Sequence, residues 1–270
     1  MKNKGLWIGA AIFAVLAVIF AFTDWQISEA LYNPEAGWAH FMEEFGQVPG
    51  SFLGVLSAGI LLRTYKVQKN FKSIASIIGL GLLAIFTSFG MSADLLGAQV
   101  DPDNLNPTAL IILTLTVAVL VQVVLHRFAY EAVSQYKTAA KAGLILMIVG
   151  GVVTVWFFKI PWGRWTYRDI LEAGNNGLFT PWYLPQGNNG HHSFFSGHTA
   201  LSFVVMGYLY YMKKEYSARN IFLVIFLLWG IIGGMSRIVV GAHFASDVLF
   251  GAGETMLWFW ILSNKFLSER

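Results

Sequence analysis

Two short polar stretches of the sequence carry residues whose types and spacing suit acid–base and nucleophilic chemistry. Ser196, Gly197 and His198 are consecutive in SFFSGHTA, and His243 precedes Asp247 by four positions in SRIVVGAHFASD. Residues four apart share a helix face, so a carboxylate can hold one imidazole nitrogen and leave the other free to attack. The second histidine could then protonate a departing oxygen. Taken singly, each signal also fits a helix cap or a structural hydrogen bond.

Four basic residues near these stretches indicate that the reacting group is an anion. Lys159, Arg164 and Arg168 lie in KIPWGRWTYRD, and Arg237 lies in SRIVVGAHFASD. Arginine presents a planar fork of donors and lysine a compact charge, and both suit phosphate oxygens. The serine and glycine of SFFSGHTA would begin a helix, where free backbone N–H groups and the positive end of the helix dipole favour an anion. Together these residues predict a phosphate cradle, although single basic residues at helix ends commonly anchor to lipid headgroups.

The composition places this cradle in a membrane protein. Of the 270 residues, 56% are hydrophobic and 12% are charged, and the mean hydropathy is +0.58. Soluble domains carry about 25% charged residues, so this chain is expected to use the lipid bilayer as part of its solvent. Cysteine is absent, which excludes disulfides and thiolate metal sites. The net charge of +3 is small, and we expect no nucleic-acid partner.

Eight apolar segments predict an all-α polytopic transmembrane helix bundle. They lie near 5–23, 48–62, 74–97, 107–125, 142–158, 197–212, 221–238 and 243–262. Lys2 and Lys4 precede the first segment, but no A-x-A-like cleavage site follows it, so we expect an uncleaved helix and not a signal peptide. The second segment is short, which fits a tilted helix or one partly buried by its neighbours.

The positions of basic and acidic residues assign the two sides of the membrane. The side expected to face the cytoplasm, together with both termini, carries Lys2, Lys4, Arg63, Lys66, Lys69, Lys72, Arg127, Lys137, Lys141, Lys213, Lys214, Arg219, Lys265 and Arg270. The opposite side carries Glu29, Glu35, Glu43, Glu44, Asp101 and Asp103. Only the four basic residues of the cradle lie on that opposite side. This distribution predicts an extracytoplasmic active site in a multi-pass protein of the plasma membrane.

The segment 24–50 has apolar residues at helical spacing, with acidic residues and the breakers Pro34 and Pro49 between them. This pattern predicts an amphipathic stretch at the outer membrane interface. An ordinary extracytoplasmic loop fits the same residues nearly as well.

Three motifs resemble the signature motifs of the type 2 phosphatidic acid phosphatase (PAP2) superfamily of membrane lipid phosphatases. KIPWGR, SGH and SR-x5-H-x3-D occur in this order. The third motif matches in full, with Ser236, Arg237, His243 and Asp247. The second motif has Phe195 where the family usually has proline. The first motif has Thr166 where the family usually has arginine, and Arg164 and Arg168 lie two residues to either side.

The resemblance covers roughly 155–255, and it implies a fold and a mechanism. We expect one membrane domain over 1–270 with a six-helix core and an extra helix pair within 48–125. By this resemblance, His243 attacks phosphorus and forms a phosphohistidine, Asp247 orients His243, and His198 protonates the leaving oxygen and later activates water. The phosphate oxygens would be held by Lys159, Ser196, Gly197, Arg237 and either Arg164 or Arg168. We expect Asp247 to raise the pKa of His243.

The implied activity is that of a metal-independent lipid phosphatase without a cofactor. His191 and His192 could suggest zinc, but neither cysteine nor an acidic partner stands at ligand spacing. Expected substrates are undecaprenyl diphosphate, phosphatidylglycerophosphate or phosphatidate. A lipid-to-lipid phosphotransferase and a lipid-binding pseudoenzyme or transporter are the alternatives, and the oligomeric state is left open.

Overall fold

A computed structural model describes residues 4–97 and 105–267, and every regular element within these ranges is helical. The predicted all-α bundle is therefore confirmed. Lys2, Asp101, Asp103 and Arg270, which contributed to the predicted sidedness, lie outside the described residues.

The helices follow one another with short connections. The first part of the chain forms α1 (Lys4–Leu31), α2 (Gly37–Phe45), α3 (Val48–Arg63), α4 (Phe71–Leu95), α5 (Pro107–His126) and α6 (Tyr130–Ser134). The second part forms α7 (Lys137–Ile145), a π-helical segment (Leu146–Val153), α8 (Thr154–Trp162), α9 (Tyr167–Glu172), a short 3-10 turn (Asn176–Leu178), α10 (Gly197–Val204), a 3-10 segment (Val205–Tyr211), α11 (Arg219–Val239) and α12 (Ala245–Leu267).

Six helical stretches in the described ranges are long and apolar enough to cross a membrane, which makes the chain a multi-pass membrane protein. They are Gly5–Leu31, Gly37–Arg63, Phe71–Leu95, Pro107–His126, Lys137–Glu172 and Arg219–Val239. The two remaining apolar segments of the sequence are helical as well. One forms α10 with its 3-10 continuation, and the other forms α12.

Helix α10 lies at the centre of the bundle and carries the SGH motif at its first turn. It packs against α3, α11, α12 and the π-helical segment. Ser196 is its N-cap, because the Ser196 hydroxyl accepts a hydrogen bond from the Thr199 backbone N–H at 3.3 Å. Gly251 allows α12 to approach this end closely, since a Cβ at that position would lie 2.5 Å from the Ser196 carbonyl oxygen. The close contact brings the first turns of α10 and α12 together.

Helices α4 and α5 pack on each other and on α3, and α4 also contacts α2. Their other faces expose large aliphatic side chains, for example Ile78 and Leu82 on α4 and Ile111 and Leu115 on α5. Such faces suit contact with lipid chains. This pair occupies the part of the chain where the extra helices are expected.

The segment 24–50 is only partly the interfacial stretch expected from its sequence. Its first residues continue α1 to Leu31, and Asp24 and Ser28 are buried there. The amphipathic character is confined to α2, which exposes Trp38 and Phe41 while its inner face buries Glu43. The inward face of α2 therefore presents a carboxylate to the bundle.

Candidate functional site

Three separate segments of the chain meet at one end of the bundle. The loop after α8 is joined to the SGH segment by a backbone hydrogen bond from Ser193 N to Arg164 O at 2.9 Å. The SGH segment is joined to α12 by a bond from Ser196 N to Asp247 O at 3.0 Å. The turn after α11 folds back so that His243 N donates to Arg237 O at 3.1 Å. These bonds fix the relative positions of all three motifs.

Lys159 and the first turn of α10 line one side of this meeting point. Gly163, with φ +57°, caps the C-terminus of α8 in the left-handed region and redirects the chain after Lys159. A Cβ built at Gly197 would lie 4.0 Å from Lys159 Cε, so the lysine stem runs past the N-terminus of α10. The Ser196 hydroxyl accepts from both the N–H and the hydroxyl of Thr199, at 3.3 and 2.9 Å. A cation and free helix N–H groups are thus neighbours, as an anion site requires.

His243 and Asp247 are linked through a serine that sequence reasoning did not identify. His243 Nδ1 lies 3.6 Å from Asp247 Oδ2, which is an ion-pair distance and not a hydrogen bond. Ser193 Oγ donates to Asp247 Oδ2 at 2.6 Å and lies 3.4 Å from His243 Nδ1. The Phe244 backbone N–H also donates to Asp247 Oδ2, at 2.9 Å. The carboxylate is therefore held rigidly next to Nδ1, and Nε2 of His243 is the nitrogen turned away from it.

Burial lowers the pKa of His243 to about 4. The adjacent Asp247 carboxylate opposes this shift, and the nearby charges of Lys159 and Arg237 reinforce it. The direction is opposite to the rise expected from Asp247 alone, because removing the imidazolium from water outweighs the attraction of one carboxylate. His243 is consequently a neutral imidazole at physiological pH, the form in which a histidine is a nucleophile.

Arg237 and His198 have buried polar atoms without a hydrogen-bond partner among the described residues. These atoms are Arg237 Nε and Nη1 and His198 Nε2. His198 is close enough to Arg237, His243 and Lys159 to interact with all three electrostatically. An unsatisfied buried polar group costs about 1–3 kcal/mol, so three of them in one place mark a site that is completed by a ligand.

Arg164 is occupied by contacts inside the protein. Its side chain is 1% exposed, and it donates to Asp247 Oδ1 at 2.5 Å and to Asp24 Oδ2 at 2.9 Å. It also donates from Nε to the Thr180 carbonyl and from Nη1 to Ser246 Oγ, both at 2.9 Å. The guanidinium therefore ties α1, the loop after α8 and the start of α12 together.

Arg168 has a different environment. Thr166, at the position of the family arginine, is the N-cap of α9 and accepts a hydrogen bond from Asp169 N at 3.1 Å. The Arg168 backbone N–H donates to the Gly241 carbonyl at 2.9 Å, which places α9 beside the turn that carries His243. The Arg168 side chain is 42% exposed, and its Nη1 lies 3.5 Å from Glu43 Oε1. Of the two arginines that flank Thr166, Arg168 is the accessible one.

The adjacent histidines that precede the SGH motif contact aromatic rings. His191 stacks on Trp165 with ring centroids 3.4 Å apart. His192 Nδ1 lies 3.5 Å from the Lys159 carbonyl oxygen, and its ring lies 6.0 Å from that of Trp156. Within residues 4–97 and 105–267, no group of three or more histidine, aspartate or glutamate side chains has the arrangement of a metal site.

Three acidic or hydroxyl residues of the site were not predicted from the sequence as site residues: Asp24, Glu43 and Ser193. Asp24 follows the first apolar segment, Glu43 lies on an amphipathic stretch, and Ser193 stands three residues before Ser196. A polar residue at the end of an apolar helix was the available signal for Asp24, because such a residue must find a buried partner. Nothing local distinguishes Glu43 from its neighbour Glu44.

The model of the PAP2 superfamily matches residues 138–268, a range that runs from α7 to the end of α12 and contains all nine predicted site residues. This match over part of the chain confirms the resemblance to the PAP2 superfamily that the three motifs predicted. Members of this superfamily are generally phosphatases, so the match and the apolar helices together support a membrane protein with a phosphatase-type function. No curated protein and no solved structure gives a significant match to the chain.

Proposed function

We propose that this protein is a lipid phosphatase that releases phosphate from a lipid phosphate monoester or diphosphate at the extracytoplasmic membrane face. The observation that carries the proposal is a set of buried atoms that accept or donate no hydrogen bond among the described residues. They are Arg237 Nε, Arg237 Nη1 and His198 Nε2, and they lie beside Lys159 and a neutral His243. A tetrahedral anion with several acceptor oxygens would satisfy the Arg237 donors at once. Its negative charge would also favour the protonated form of His198, in which Nε2 donates a hydrogen bond. An uncharged ligand would leave the excess positive charge of the site without compensation, since Glu43 neutralises only part of it.

In the first step of the proposed reaction, Nε2 of His243 attacks phosphorus. The bond between phosphorus and the leaving oxygen breaks, and that oxygen takes a proton from His198. Ser193 and Asp247 support this step by holding the opposite ring nitrogen of His243. The step leaves a phosphoryl group on His243 and a dephosphorylated lipid product.

In the second step, water attacks phosphorus of the phosphohistidine. His198, now unprotonated, accepts a proton from this water, the N–P bond breaks, and inorganic phosphate leaves. Each proton that His198 gives in the first step is therefore recovered in the second. No group outside this chain, the substrate and water is consumed.

The proposed cradle consists of fixed positive charges and backbone donors. Lys159, Arg237, Ser196 and the Gly197 amide would hold the phosphate oxygens, since charge stabilisation at those oxygens is the main demand of phosphoryl transfer. We assign the role of the missing family arginine to Arg168, because it is accessible beside Arg237 whereas Arg164 is bound by two carboxylates. Arg164 then acts as a positioning residue for Asp247.

A phosphate-release assay in detergent tests the proposal. The panel contains undecaprenyl diphosphate, phosphatidylglycerophosphate and phosphatidate, with His243→Ala as the inactive control. Wild-type protein should release phosphate from at least one substrate, and labelled substrate quenched without acid should leave an acid-labile phosphoryl group on the wild-type chain only. If no member of the panel yields phosphate, the proposed phosphatase function fails. If phosphate forms without the adduct and His243→Ala still turns over, water attacks directly.

A further inference from the structure

Glu43 of α2 lies between the two arginines that face the proposed phosphate site. Its side chain is 5% exposed, and Oε1 lies 3.0 Å from Arg237 Nη1 and 3.5 Å from Arg168 Nη1. The second oxygen lies 3.2 Å from His40 Nδ1, and the other nitrogen of His40 contacts the Pro34 carbonyl at 2.6 Å. The carboxylate is thus held from its own helix and directed at the arginine pair.

This arrangement places a carboxylate oxygen where an arginine pair would receive an oxygen of a bound anion. The contact with Arg237 has the distance of an ion pair, but it is not aligned as a hydrogen bond, so Arg237 Nε and Nη1 keep their hydrogens for another acceptor. Glu43 therefore neutralises part of the arginine charge without satisfying the arginine donors. A phosphate that binds here can therefore accept hydrogen bonds from Arg237, but the positive electrostatic potential that attracts it is weaker than the arginines alone would produce.

The balance of charges in the site makes the position of Glu43 important for anion binding. Four cations (Lys159, Arg164, Arg168 and Arg237) meet three carboxylates (Asp24, Glu43 and Asp247). Arg164 is committed to Asp24 and Asp247. Glu43 is the carboxylate that contacts the two arginines available to a substrate. Its charge acts directly on whatever anion the arginines hold, because in a buried site the Coulomb energy is only weakly screened.

We propose that Glu43 is a specificity-determining residue that competes with the substrate phosphate for Arg168 and Arg237 and thereby limits how much negative charge the site accepts. The inference rests on the proposed function. A lipid diphosphate carries roughly one more negative charge at neutral pH than a phosphate monoester, because its additional phosphate unit has one ionised oxygen. The second ionisation of the terminal phosphate, with a pKa near 6, is common to both head groups. The fixed carboxylate repels the more highly charged head group more strongly. Glu43 thus favours phosphate monoesters over diphosphates.

The test compares Glu43→Gln with the matched variant Glu44→Gln in the full-length protein in detergent. Glu44 follows Glu43 on α2, but its carboxylate points toward Gly97, and a Cβ there would be 3.8 Å away. Both variants remove one charge from the same helix. We measure the inhibition constants of orthovanadate and inorganic phosphate, and kcat/KM for a lipid monophosphate and a lipid diphosphate that share one hydrocarbon chain.

Glu43→Gln should bind both inhibitors at least about tenfold more tightly, as expected for loss of one like charge within a few ångströms. It should also raise the ratio of diphosphate to monophosphate kcat/KM by several fold. Glu44→Gln should leave all four quantities near wild type. Unchanged or weaker binding in Glu43→Gln would overturn the proposal, and weaker binding with a lower kcat would make Glu43 a scaffold for Arg237.

Arg168→Gln keeps the proposal falsifiable if Glu43→Gln does not fold, because the Arg168 side chain is 42% exposed and its loss should be tolerated. Arg168→Gln should weaken vanadate binding, whereas wild-type affinity would contradict an anion position between the two arginines. Vanadate binding measured by calorimetry does not depend on turnover, so it tests the anion position between Arg168 and Arg237 separately from the proposed phosphatase function. If no lipid phosphate is hydrolysed and Glu43→Gln still binds vanadate more tightly than wild type, the proposed function fails and the anion position stands.

Discussion

Arg164 lies between two carboxylates that solvent does not reach, and its replacement by alanine tests how the site is assembled. The side chains of Arg164, Asp24 and Asp247 are 1%, 0% and 0% exposed. In Arg164→Ala, both carboxylates lose their cation and face each other across the vacated space. Removing one partner of a buried ion pair costs about 3–5 kcal/mol. Asp247 retains its bonds from Ser193 and Phe244, so we expect the lower part of that range.

The assay is thermal unfolding of the purified protein in detergent, followed by intrinsic fluorescence. For a chain of this size, 1 kcal/mol shifts Tm by about 2–4 °C, so Arg164→Ala should melt about 6–16 °C below wild type. The Tm of Arg164→Lys should lie between those of wild type and Arg164→Ala, because one ammonium group cannot reproduce the guanidinium fork that bonds both carboxylates.

Arg168→Ala is the matched control for this experiment. Its side chain is 42% exposed, so its Tm should stay within about 2 °C of wild type, since surface substitutions change stability by about 0.5 kcal/mol or less. Its kcat/KM should nevertheless fall by more than about tenfold, as expected when a charged donor to a phosphoryl group is lost. The reasoning is refuted if Arg164→Ala melts like wild type and loses activity while Arg168→Ala remains fully active.

Three further predictions concern pH, the leaving group and topology. Burial lowers the pKa of His243 to about 4, so the histidine stays neutral and nucleophilic as the pH falls. The value of kcat/KM, corrected for substrate ionisation, should therefore decline only as the pH approaches about 4. A decline centred at or above pH 6.5 would contradict this prediction. His198→Ala should slow release of an alkoxide at least about tenfold more than release of p-nitrophenolate, which needs little protonation, and equal losses for both substrates would remove His198 as the acid. In this cysteine-free chain, an impermeant thiol reagent applied to intact cells should label Asn175→Cys and not Lys137→Cys, and the reverse pattern would place the site in the cytoplasm.

The sequence alone determined the class of fold and predicted most of the groups that we propose to react. Long apolar segments can satisfy their backbone groups in lipid only as helices, so their lengths and spacing predict an all-α membrane bundle. The polar residues at the ends of those segments were then confined to one of two membrane faces. For that reason Lys159, His198, His243 and Asp247 could be assigned to one site from local motifs and chain order.

Only the tertiary structure determined which charged side chains form ion pairs with each other. Arg164 and Arg168 are two positions to either side of Thr166, yet one is buried against Asp24, 140 positions away in the sequence, and the other faces Glu43. Glu43 and Glu44 are neighbours of the same residue type, but the rotation of α2 buries Glu43 against the arginines. Ion pairs of this kind depend on how distant helices pack, whereas hydropathy records only which segments are helical and how far they extend. The sequence therefore predicted the residues proposed to react, whereas long-range packing determined their partners and added Asp24, Glu43 and Ser193.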